Sequence, residues 1–431
     1  MKILFVQARN RRNLGTLDKL TIQLSGTPYL SIQQLAAATP SEHSVEFIDE
    51  RHKKIDFNGD YDLVAIMQCF TQYAFRTYEI ADEFRARGIP VVLGGYHPTV
   101  LPEEAKQHAD SVVIGEQEGI WPSVLKDVEN NELKPFYKSD NFLKPEDIPP
   151  HKEEIGGNPF PSARVEALRG CPYNCGFCMT PIMQGTNIRL RPIENIVEEI
   201  RSMKQKFFFF TEPSLTLAPE HTKKLFQEIK GLNKKFTCYG HTDVLNKDEE
   251  LLKLSVDAGC IAWWIDFESI SQKTIDSLNK KTNKIKDYAS VVKKIHEHGA
   301  AAIGTFIFGL DTDTLDVFDK TNEALKKWEV DAIEVNILCP FPGTPLFNKF
   351  EKENRILTRD WSKYDEWNIV FKPKNMTPEE LWEKSRWLAK EYYSFPNFLR
   401  KIIGSIKLGF SPFKYVTPQI LLEKRFYSKT F

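Results

Sequence analysis

Short apolar runs alternate with amphipathic segments along the first third of the chain. Residues 2–7, 44–48, 63–68, 91–93 and 111–114 are bounded by turn or charged residues, as β-strands are. Between them, residues 78–87 and the segment around 103–108 space their apolar positions as helices do. Strands that alternate with helices form parallel sheets covered on both faces. Residues 1–138 are therefore predicted to form a doubly wound, Rossmann-like α/β domain, with ligands bound beyond the carboxyl ends of its strands.

A polar, proline-containing stretch, residues 139–161 with glycines at 156 and 157, is predicted to be a linker. A second alternation follows it. Its predicted strands are residues 164–168, 207–210, 236–240, 261–265, 301–308 and 332–337. Its predicted helices are residues 193–203, 221–229, 249–258, 288–298 and 317–328. This pattern predicts a partial (β/α)6 barrel over residues 162–357, followed by a helical C-terminal extension over residues 358–431.

The composition is that of a globular protein. Hydrophobic residues make up 41% and charged residues 27% of 431 residues, which allows two or three domains. A formal net charge of −1 gives no general attraction for nucleic acid, so none is expected as a partner. The chain has no apolar run long enough to cross a bilayer, and its first ten residues predict a strand rather than a signal peptide. The expected location is the cytoplasm.

Three of the seven cysteines lie within eight residues, as Cys171-x3-Cys175-x2-Cys178, in a loop after the first predicted barrel strand. Three thiolates can each bind one iron of a [4Fe–4S] cluster, which leaves the fourth iron open for a reactant. Structural zinc would need a fourth ligand, and no nearby Cys or His supplies one. The other four cysteines are scattered singly and are predicted to be small buried apolar residues.

This spacing, with Phe177 just before the last cysteine, resembles the signature of the radical S-adenosylmethionine (SAM) superfamily. Residues 208–216 (FFFTEPSLT) resemble the family's segment for the SAM amino group, with Glu212 in place of the usual acidic pair. Residues 266–269 (DFES) are similar to its strand-end motif, although Asp266 stands where Gly is usual, and residues 304–309 (GTFIFG) resemble its adenine strand. The resemblance implies SAM contacts from Phe177, Glu212, Glu268, Ser269, Gly304 and Gly309.

Glycines end two predicted strands of the N-terminal domain, and glycine lets backbone approach a ligand closely, although a structural turn explains them equally. Residues 62–121 resemble the cobalamin-binding domain found in many radical SAM proteins. The resemblance implies cobalamin contacts from Gly94, Gly95, His97, Thr99, Gly115 and Glu116. The motif whose histidine ligates cobalt in other cobalamin proteins is absent, and residues 7–10 (QARN) occupy its place. We therefore expect His97 to serve the turn or the nucleotide tail rather than the cobalt.

The segments 337–347, 359–361 and 376–381 resemble the class B radical SAM methyltransferases and their relatives, which include hopanoid methylases and the anaerobic magnesium-protoporphyrin ester cyclase. The resemblance implies a [4Fe–4S] cluster, SAM and cobalamin, with an external electron donor of the flavodoxin or ferredoxin type. It further implies methylation of an unactivated carbon of a hydrophobic, lipid-like substrate by way of a 5′-deoxyadenosyl radical and methylcobalamin. Ring closure or carbon coupling with the same cofactors, and non-enzymatic redox sensing, stay open. No catalytic acid or base is assigned.

Residues 392–422 contain no acidic residue. The basic residues there are Arg400, Lys401, Lys407 and Lys414, among the apolar residues Phe398, Leu399, Ile402, Ile403, Ile406, Leu408 and Phe410. A basic amphipathic helix can lie in an anionic membrane surface. Peripheral membrane contact through residues 392–422 is therefore predicted, with packing against the barrel as the alternative.

Overall fold

The computed structural model describes residues 1–9, 29–139, 141–152, 154–155, 158–159, 162–409, 412–414, 417–418 and 420–421. Asn10, residues 156–157, Phe410 and residue 422, which the sequence analysis used, lie outside these ranges.

The N-terminal domain is built on a six-stranded, fully parallel sheet of order β2-β1-β3-β4-β5-β6. Its strands are β1 (Lys2–Gln7), β2 (Ser44–Asp49), β3 (Leu63–Ile66), β4 (Val91–Leu93), β5 (Ser111–Ile114) and β6 (Phe136–Lys138). The helices are Leu30–Ala38, Ala74–Arg85, Tyr96–Val100, Pro102–Lys106 and Trp121–Glu129. Because the strand order reverses between β1 and β3, the crevice for a ligand opens at the carboxyl ends of these strands.

Both faces of this sheet are covered, which explains why its strands are apolar at nearly every position. Alternate residues of a strand point to opposite faces. Leu4 and Val6 accordingly lie in one core, and Ile3 and Phe5 lie in the other. The predicted doubly wound domain is confirmed.

The stretch predicted as a linker carries some structure of its own. It contains the short antiparallel pair β7 (Glu154–Ile155) and β8 (Asn158–Pro159). Ile155 is buried in the N-terminal core. This segment therefore belongs partly to the first domain.

The second domain begins with β9 (Ala163–Val165) and the antiparallel pair β10 (Leu168–Arg169) and β11 (Arg189–Leu190). The remaining strands are β12 (Phe207–Phe210), β13 (Lys235–Tyr239), β14 (Cys260–Glu268), β15 (Ala301–Phe308) and β16 (Ala332–Ile337). Its six-stranded sheet is parallel throughout, in the order β16-β15-β14-β13-β12-β9. The predicted partial barrel is confirmed, but its first strand is not the single strand predicted at 164–168. The chain leaves the sheet after Val165 and pairs again at Leu168.

Helices cover the outside of the barrel sheet. The α-helices of this domain are Thr180–Gln184, Ile193–Ser202, Pro219–Ile229, Thr242–Leu245, Glu249–Ala258, Gln272–Ser277, Tyr288–Glu297 and Asp316–Trp328. Those that follow it are Pro345–Lys352, Pro378–Tyr392 and Phe395–Lys407. The 3₁₀ helices of the described chain are Thr71–Tyr73, Pro145–Asp147, Leu215–Leu217, Ile285–Asp287 and Trp361–Lys363. None of the described helices combines the length and apolar character needed to cross a bilayer.

The chain returns to the N-terminal domain after β16. Its buried apolar side chains there join the core that contains Leu4 and Val6: they are Cys339, Phe341, Phe347, Trp361, Tyr364 and Val370. Residues 358–377 are mostly non-helical, with a 3₁₀ turn and a bridge between Ile356 and Phe371. The long helices of the predicted C-terminal extension therefore begin only at Pro378, because residues 358–377 first follow the surface of the first domain.

Candidate active site between the two sheets

The cysteine loop starts at a turn that requires glycine. Gly170 has a φ of +85°, and a Cβ there would lie 2.1 Å from the Asn187 carbonyl oxygen. The Cys171 backbone N–H donates to the Gly185 carbonyl (3.2 Å), and the Cys178 N–H donates to the Cys175 carbonyl (3.0 Å). Cys171 is buried, whereas Cys175 and Cys178 are partly exposed. The loop therefore presents three free thiols within one short turn.

Burial raises the pKa of the Cys171 thiol, and it raises that of Cys175 to about 12, against the opposing effect of Lys280. Thiolates at these positions need the positive charge of bound iron. In the described part of the chain, no three His, Cys, Asp or Glu side chains converge on a single metal ion. That arrangement is compatible with a cluster, in which each sulfur binds a different iron. The donor set fits a [4Fe–4S] cluster with one open iron.

A charged group at the end of β14 lies beside this loop. Glu268 is buried in the left-handed backbone region (φ 62°), at a bulge between Asp266 and Glu268. Its carboxylate forms an ion pair with buried Lys280, whose Nζ is also 3.7 Å from Asp266. Ser269 is buried at the same turn, and its backbone N–H donates to the Phe267 carbonyl (2.7 Å). The bulge thus carries both residues of the predicted strand-end motif.

Glu212, at the end of β12, is 1% exposed, and neither carboxylate oxygen has a hydrogen-bond partner. Burial raises its pKa to about 8. A buried carboxylate without a partner is costly, and a bound cation would relieve that cost. The amino group of SAM has the chemistry that this site lacks.

The other predicted SAM residues have packing roles in the structure. A Cβ on Gly304 would lie 2.8 Å from the Phe267 ring, on the side of the outer helices. Gly309 has a φ of +92°, and its N–H donates to buried Asp313 (3.0 Å). Phe177 is half-buried against the barrel core. Their contacts with SAM stay predictions.

At the ends of β4 and β5 the N-terminal domain offers a lined crevice. Gly95 has a φ of +101°, and a Cβ there would lie 2.6 Å from the Cys69 nitrogen. Thr99 joins the two strand ends: its hydroxyl donates to the Gly95 carbonyl (2.7 Å) and accepts from the Gly115 N–H (3.0 Å). A Cβ on Gly115 would meet open space. Here the crevice has room for a ligand.

Gln117 adds a polar group to this crevice that the sequence analysis did not identify. Its Nε2 donates to the Met67 carbonyl (2.9 Å), while its buried Oε1 has no hydrogen-bond partner. A Cβ on Gly94 would lie 2.9 Å from that Oε1. Glycine at the strand end and an unsatisfied acceptor beside it fit a large ligand that bears amide donors, as cobalamin does.

His97 is fully buried rather than lining the crevice. Its Nε2 lies 3.0 Å from Glu104 Oε1, and its Nδ1 lies 3.4 Å from the Thr71 hydroxyl. Trp361 packs edge-on against its ring at 5.4 Å. His97 is expected to serve either the turn or the nucleotide tail of cobalamin. Its contacts match a role in the turn, because both ring nitrogens already have a partner within the protein.

Glu116, which is predicted to contact cobalamin, also joins the two domains. Its carboxylate pairs with Arg189 of β11 and lies 3.3 Å from Arg169 of β10. Arg169 also pairs with Glu118 and Glu166, each at 2.8 Å, and all five side chains are at least seven-eighths buried. Burial alone would raise the pKa of Glu118, but the charge of Arg169 outweighs it and lowers the pKa. The contact of Glu116 with cobalamin stays a prediction, and its partners in the second domain, more than 50 residues away, were not predicted from the sequence.

Polar side chains line the inside of the barrel near the cysteine loop, and apart from Asp266 the sequence did not single them out. On the strands they are Arg164 of β9, Tyr239 of β13, Asp266 of β14 and Glu334 of β16. Burial, with the charges of Glu366 and Asp266, raises the pKa of Glu334 to about 7. Alternation along each strand could have identified these residues, since their neighbours face the outer core.

Aromatic rings lie among these polar groups. The Arg164 guanidinium lies 5.9 Å from the Phe209 ring and 5.8 Å from the ring of Tyr29, which comes from the N-terminal domain. Tyr239 packs against Trp264 at 5.8 Å. We call this aromatic and polar interior, with Asp266, Glu334 and Glu366, the barrel chamber.

Comparison with known proteins agrees with this geometry. The B12 binding domain model matches residues 31–125, and the Radical SAM superfamily model matches residues 165–325. These domains define a cobalamin-binding radical SAM enzyme. The chain belongs to the family of cobalamin-dependent radical SAM methyltransferases, as its likeness to two curated members shows.

Bacteriochlorophyllide d C-8(2)-methyltransferase of Chlorobaculum tepidum is 33% identical over 373 residues, covering 81% of this chain and 82% of that protein. The C-12(1)-methyltransferase of the same organism is 31% identical over 391 residues, covering 87% and 84%. The solved structure of the methyltransferase TsrM from Kitasatospora setae, with cobalamin and a [4Fe–4S] cluster bound, has a TM-score of 0.72. It covers 98% of this chain and 99% of its own at 16% identity, which shows a shared fold.

The predicted family, fold class and enzyme class are thereby confirmed, as are the cofactors: a [4Fe–4S] cluster, SAM and cobalamin. A radical SAM enzyme needs an electron donor, so the prediction of a reducing partner is confirmed without its type. The individual cofactor contacts stay predictions.

Proposed function

We propose that the protein methylates an unactivated carbon of a hydrophobic substrate held between the two sheets. One observation carries the proposal. Arg169, two residues before Cys171, is ion-paired to Glu116 and Glu118, which lie in the turn after β5 of the N-terminal domain. The thiols that would bind the cluster are therefore anchored to the domain that would bind the corrin, and methyl transfer needs both close to one substrate carbon.

The residues of this chain have separable tasks in that reaction. Cys171, Cys175 and Cys178 would hold the cluster, Glu212 would accept the SAM amino group, and the backbone at Gly94, Gly95 and Gly115 would approach cobalamin. When bound, the reduced cluster with SAM supplies a hydrogen-abstracting radical, and cobalamin supplies the methyl group. The buried ion pairs between the domains hold the reacting groups in register and exclude water around them.

The barrel chamber supports the substrate class. Phe209, Tyr239 and Trp264 offer aromatic faces for a flat or extended apolar molecule. Glu334 and Glu366, each with a pKa raised to about 7 by burial and neighbouring carboxylates, can donate or accept hydrogen bonds near neutral pH. This combination favours a hydrophobic substrate with a few polar groups. We also propose a donor of the flavodoxin or ferredoxin type.

Product mass tests the proposal. The reconstituted protein is incubated anaerobically with reductant, SAM, cobalamin and either a lipid extract or a chlorophyllide, since the curated relatives are named for bacteriochlorophyllide d. A product heavier by one methylene unit, absent with the triple Cys→Ala variant, is expected. A product that has only lost hydrogen would assign ring closure or coupling instead. No formation of 5′-deoxyadenosine with any substrate would contradict an enzymatic role.

A further inference from the structure

The helix Phe395–Lys407 presents its apolar side chains to the solvent. Leu399, Ile403 and Ile406 are 43%, 55% and 55% exposed, and Phe395 is 65% exposed. Their spacing of four, four and three residues places them along one face of the helix. We call this the outer face. Large apolar side chains gathered on one exposed face mark an interaction surface.

The opposite side of the helix fixes this orientation with polar groups. Ser405 is fully buried, and its hydroxyl donates to the Ile402 carbonyl (2.8 Å). Lys401 points inward: its Nζ donates to the Val330 carbonyl (2.7 Å) and lies 3.6 Å from the centre of the Tyr392 ring. Rotating the helix to bury the outer face would break both Lys401 contacts, with the Val330 carbonyl before β16 and with Tyr392 of the preceding helix. The exposed apolar face is therefore part of the folded arrangement.

The charged side chains of this helix are all of one sign. Arg400 and Lys407 are exposed, and no acidic residue occurs between Glu391 and Glu423. Lys401, which the sequence predicts among the basic residues facing the membrane, lies instead against Tyr392 and Val330. A face with apolar side chains in the middle and cations at its edge complements an anionic lipid surface.

We propose that the outer face docks this protein on an anionic membrane surface. A second copy of the chain is the less favourable occupant, because joining two outer faces would bring Arg400 and Lys407 of both copies together without acids to compensate them. The membrane would then supply the hydrophobic substrate, and this part of the inference rests on the proposed function. Binding is nevertheless measurable without turnover, so the two can fail separately.

Flotation of the full-length protein with vesicles tests the proposal. Binding to vesicles of phosphatidylcholine with phosphatidylglycerol should exceed binding to phosphatidylcholine alone at least tenfold. It should fall severalfold as salt rises from about 0.05 to 0.3 M, because ions screen surface charges. The double variant I403S/I406S should lose at least tenfold in binding to both vesicle types. The variant R400Q/K407Q should lose only the preference for the anionic lipid.

Control variants remove exposed apolar or basic side chains from other parts of the surface. L357S removes an apolar side chain that is 44% exposed, and K224Q/K253Q removes two exposed lysines from the outer helices of the barrel. Both should bind vesicles like the parent protein.

Absence of binding to anionic vesicles at low salt would overturn the proposal, as would equal losses in the controls. Concentration-dependent dimers in sedimentation that I403S/I406S abolishes, without vesicle binding, would assign the face to a second copy. Methylation of detergent-dispersed substrate reports on the proposed function alone, whatever the flotation result.

Discussion

Glu212 should make the stability of the SAM-free protein depend on pH, and bound SAM should remove this dependence. Its pKa is raised to about 8 by burial, against about 4.3 in an unfolded chain, so the folded state holds a proton that the unfolded state releases. Between these values stability must fall as pH rises. We expect E212Q to flatten this fall between pH 5.5 and 8.5 and to gain roughly 1–3 kcal/mol at the upper end, the usual cost of an unsatisfied buried group. Thermal unfolding without SAM measures both effects.

The same substitution should weaken SAM binding about tenfold or more, because an amide oxygen can accept a hydrogen bond from the SAM ammonium group but has no negative charge to form an ion pair with it. Calorimetric titration of SAM into both reconstituted proteins measures this loss. If the stability of E212Q and of the parent protein changes with pH in the same way, and both bind SAM equally well, Glu212 is not the partner of the SAM amino group.

Lys401 titrates in the opposite sense. Burial lowers its pKa to about 7, against about 10.4 when unfolded, so the folded state sheds a proton in this range. Stability must therefore rise with pH between about 7 and 10, and the benefit is lost as pH falls through 7. K401M should remove this rise, whereas K407M, at an exposed lysine of the same helix, should keep it. Hydrogen exchange of residues 395–407, corrected for intrinsic rates, is the measurement. A rise that persists in K401M would contradict the assignment.

Among the elements, the bulge that ends β14 depends on hydrogen bonds from one loop. The Asn283 Nδ2 donates to the carbonyls of Asp266 (2.6 Å) and Phe267 (3.2 Å), and the Tyr288 hydroxyl also donates to Phe267 (2.8 Å). N283A should destabilise the protein by about 1–3 kcal/mol, since it removes the side-chain donor of the Asp266 carbonyl and one of the donors of the Phe267 carbonyl, and Y288F should cost less. Denaturant unfolding gives the free energies. If N283A is as stable as the parent protein, the bulge does not depend on the hydrogen bonds from Asn283.

The cysteine loop is the element on which iron content depends. After anaerobic reconstitution we expect about four irons and four sulfides per chain, held by Cys171, Cys175 and Cys178. Replacing these three with Ala should abolish the brown chromophore. Cys238 and Cys260 are buried in the barrel core with sulfurs 4.0 Å apart, so their single Ala variants should keep full iron content and serve as controls. A cluster that survives the triple substitution would disprove the ligand assignment.

For the whole molecule, the joint between the domains is the ion-pair network at Arg169. R169M leaves the buried carboxylates of Glu118 and Glu166 without their cation, and breaking a buried pair costs roughly 3–5 kcal/mol. We expect a lower melting temperature, loss of cobalamin on desalting and an altered electron paramagnetic resonance spectrum of the cluster. R201M removes an exposed pair with Glu198, worth about 0–1 kcal/mol, and should change none of these. Unchanged cobalamin retention in R169M would remove its positioning role.

Local patterns predicted the parts of the molecule that depend on neighbours in sequence. The strands β1, β4, β5, β12, β15 and β16 were predicted to the residue, because parallel strands are continuous apolar runs between turns. The three cysteines could likewise be predicted as cluster ligands from the sequence, because all three lie in one short loop. The role of Glu116 depended on Arg169 and Arg189, and no local pattern encodes such a pairing. For the helix Phe395–Lys407, periodicity predicted an apolar face but left both a membrane contact and packing on the barrel open, because periodicity does not say which way a helical face points.

The return of residues 339–370 to the first core has a consequence for how the protein is made. The buried side chains between residues 339 and 370, among them Cys339, Phe341 and Trp361, complete a core whose other buried side chains come from residues 4–112. During synthesis the N-terminal domain leaves the ribosome with that core unfinished, and it can be closed only after the entire barrel has been translated. The cobalamin crevice should therefore mature last. A fragment that stops at residue 138 should expose the unfinished core and aggregate, so the two domains form one unit of expression.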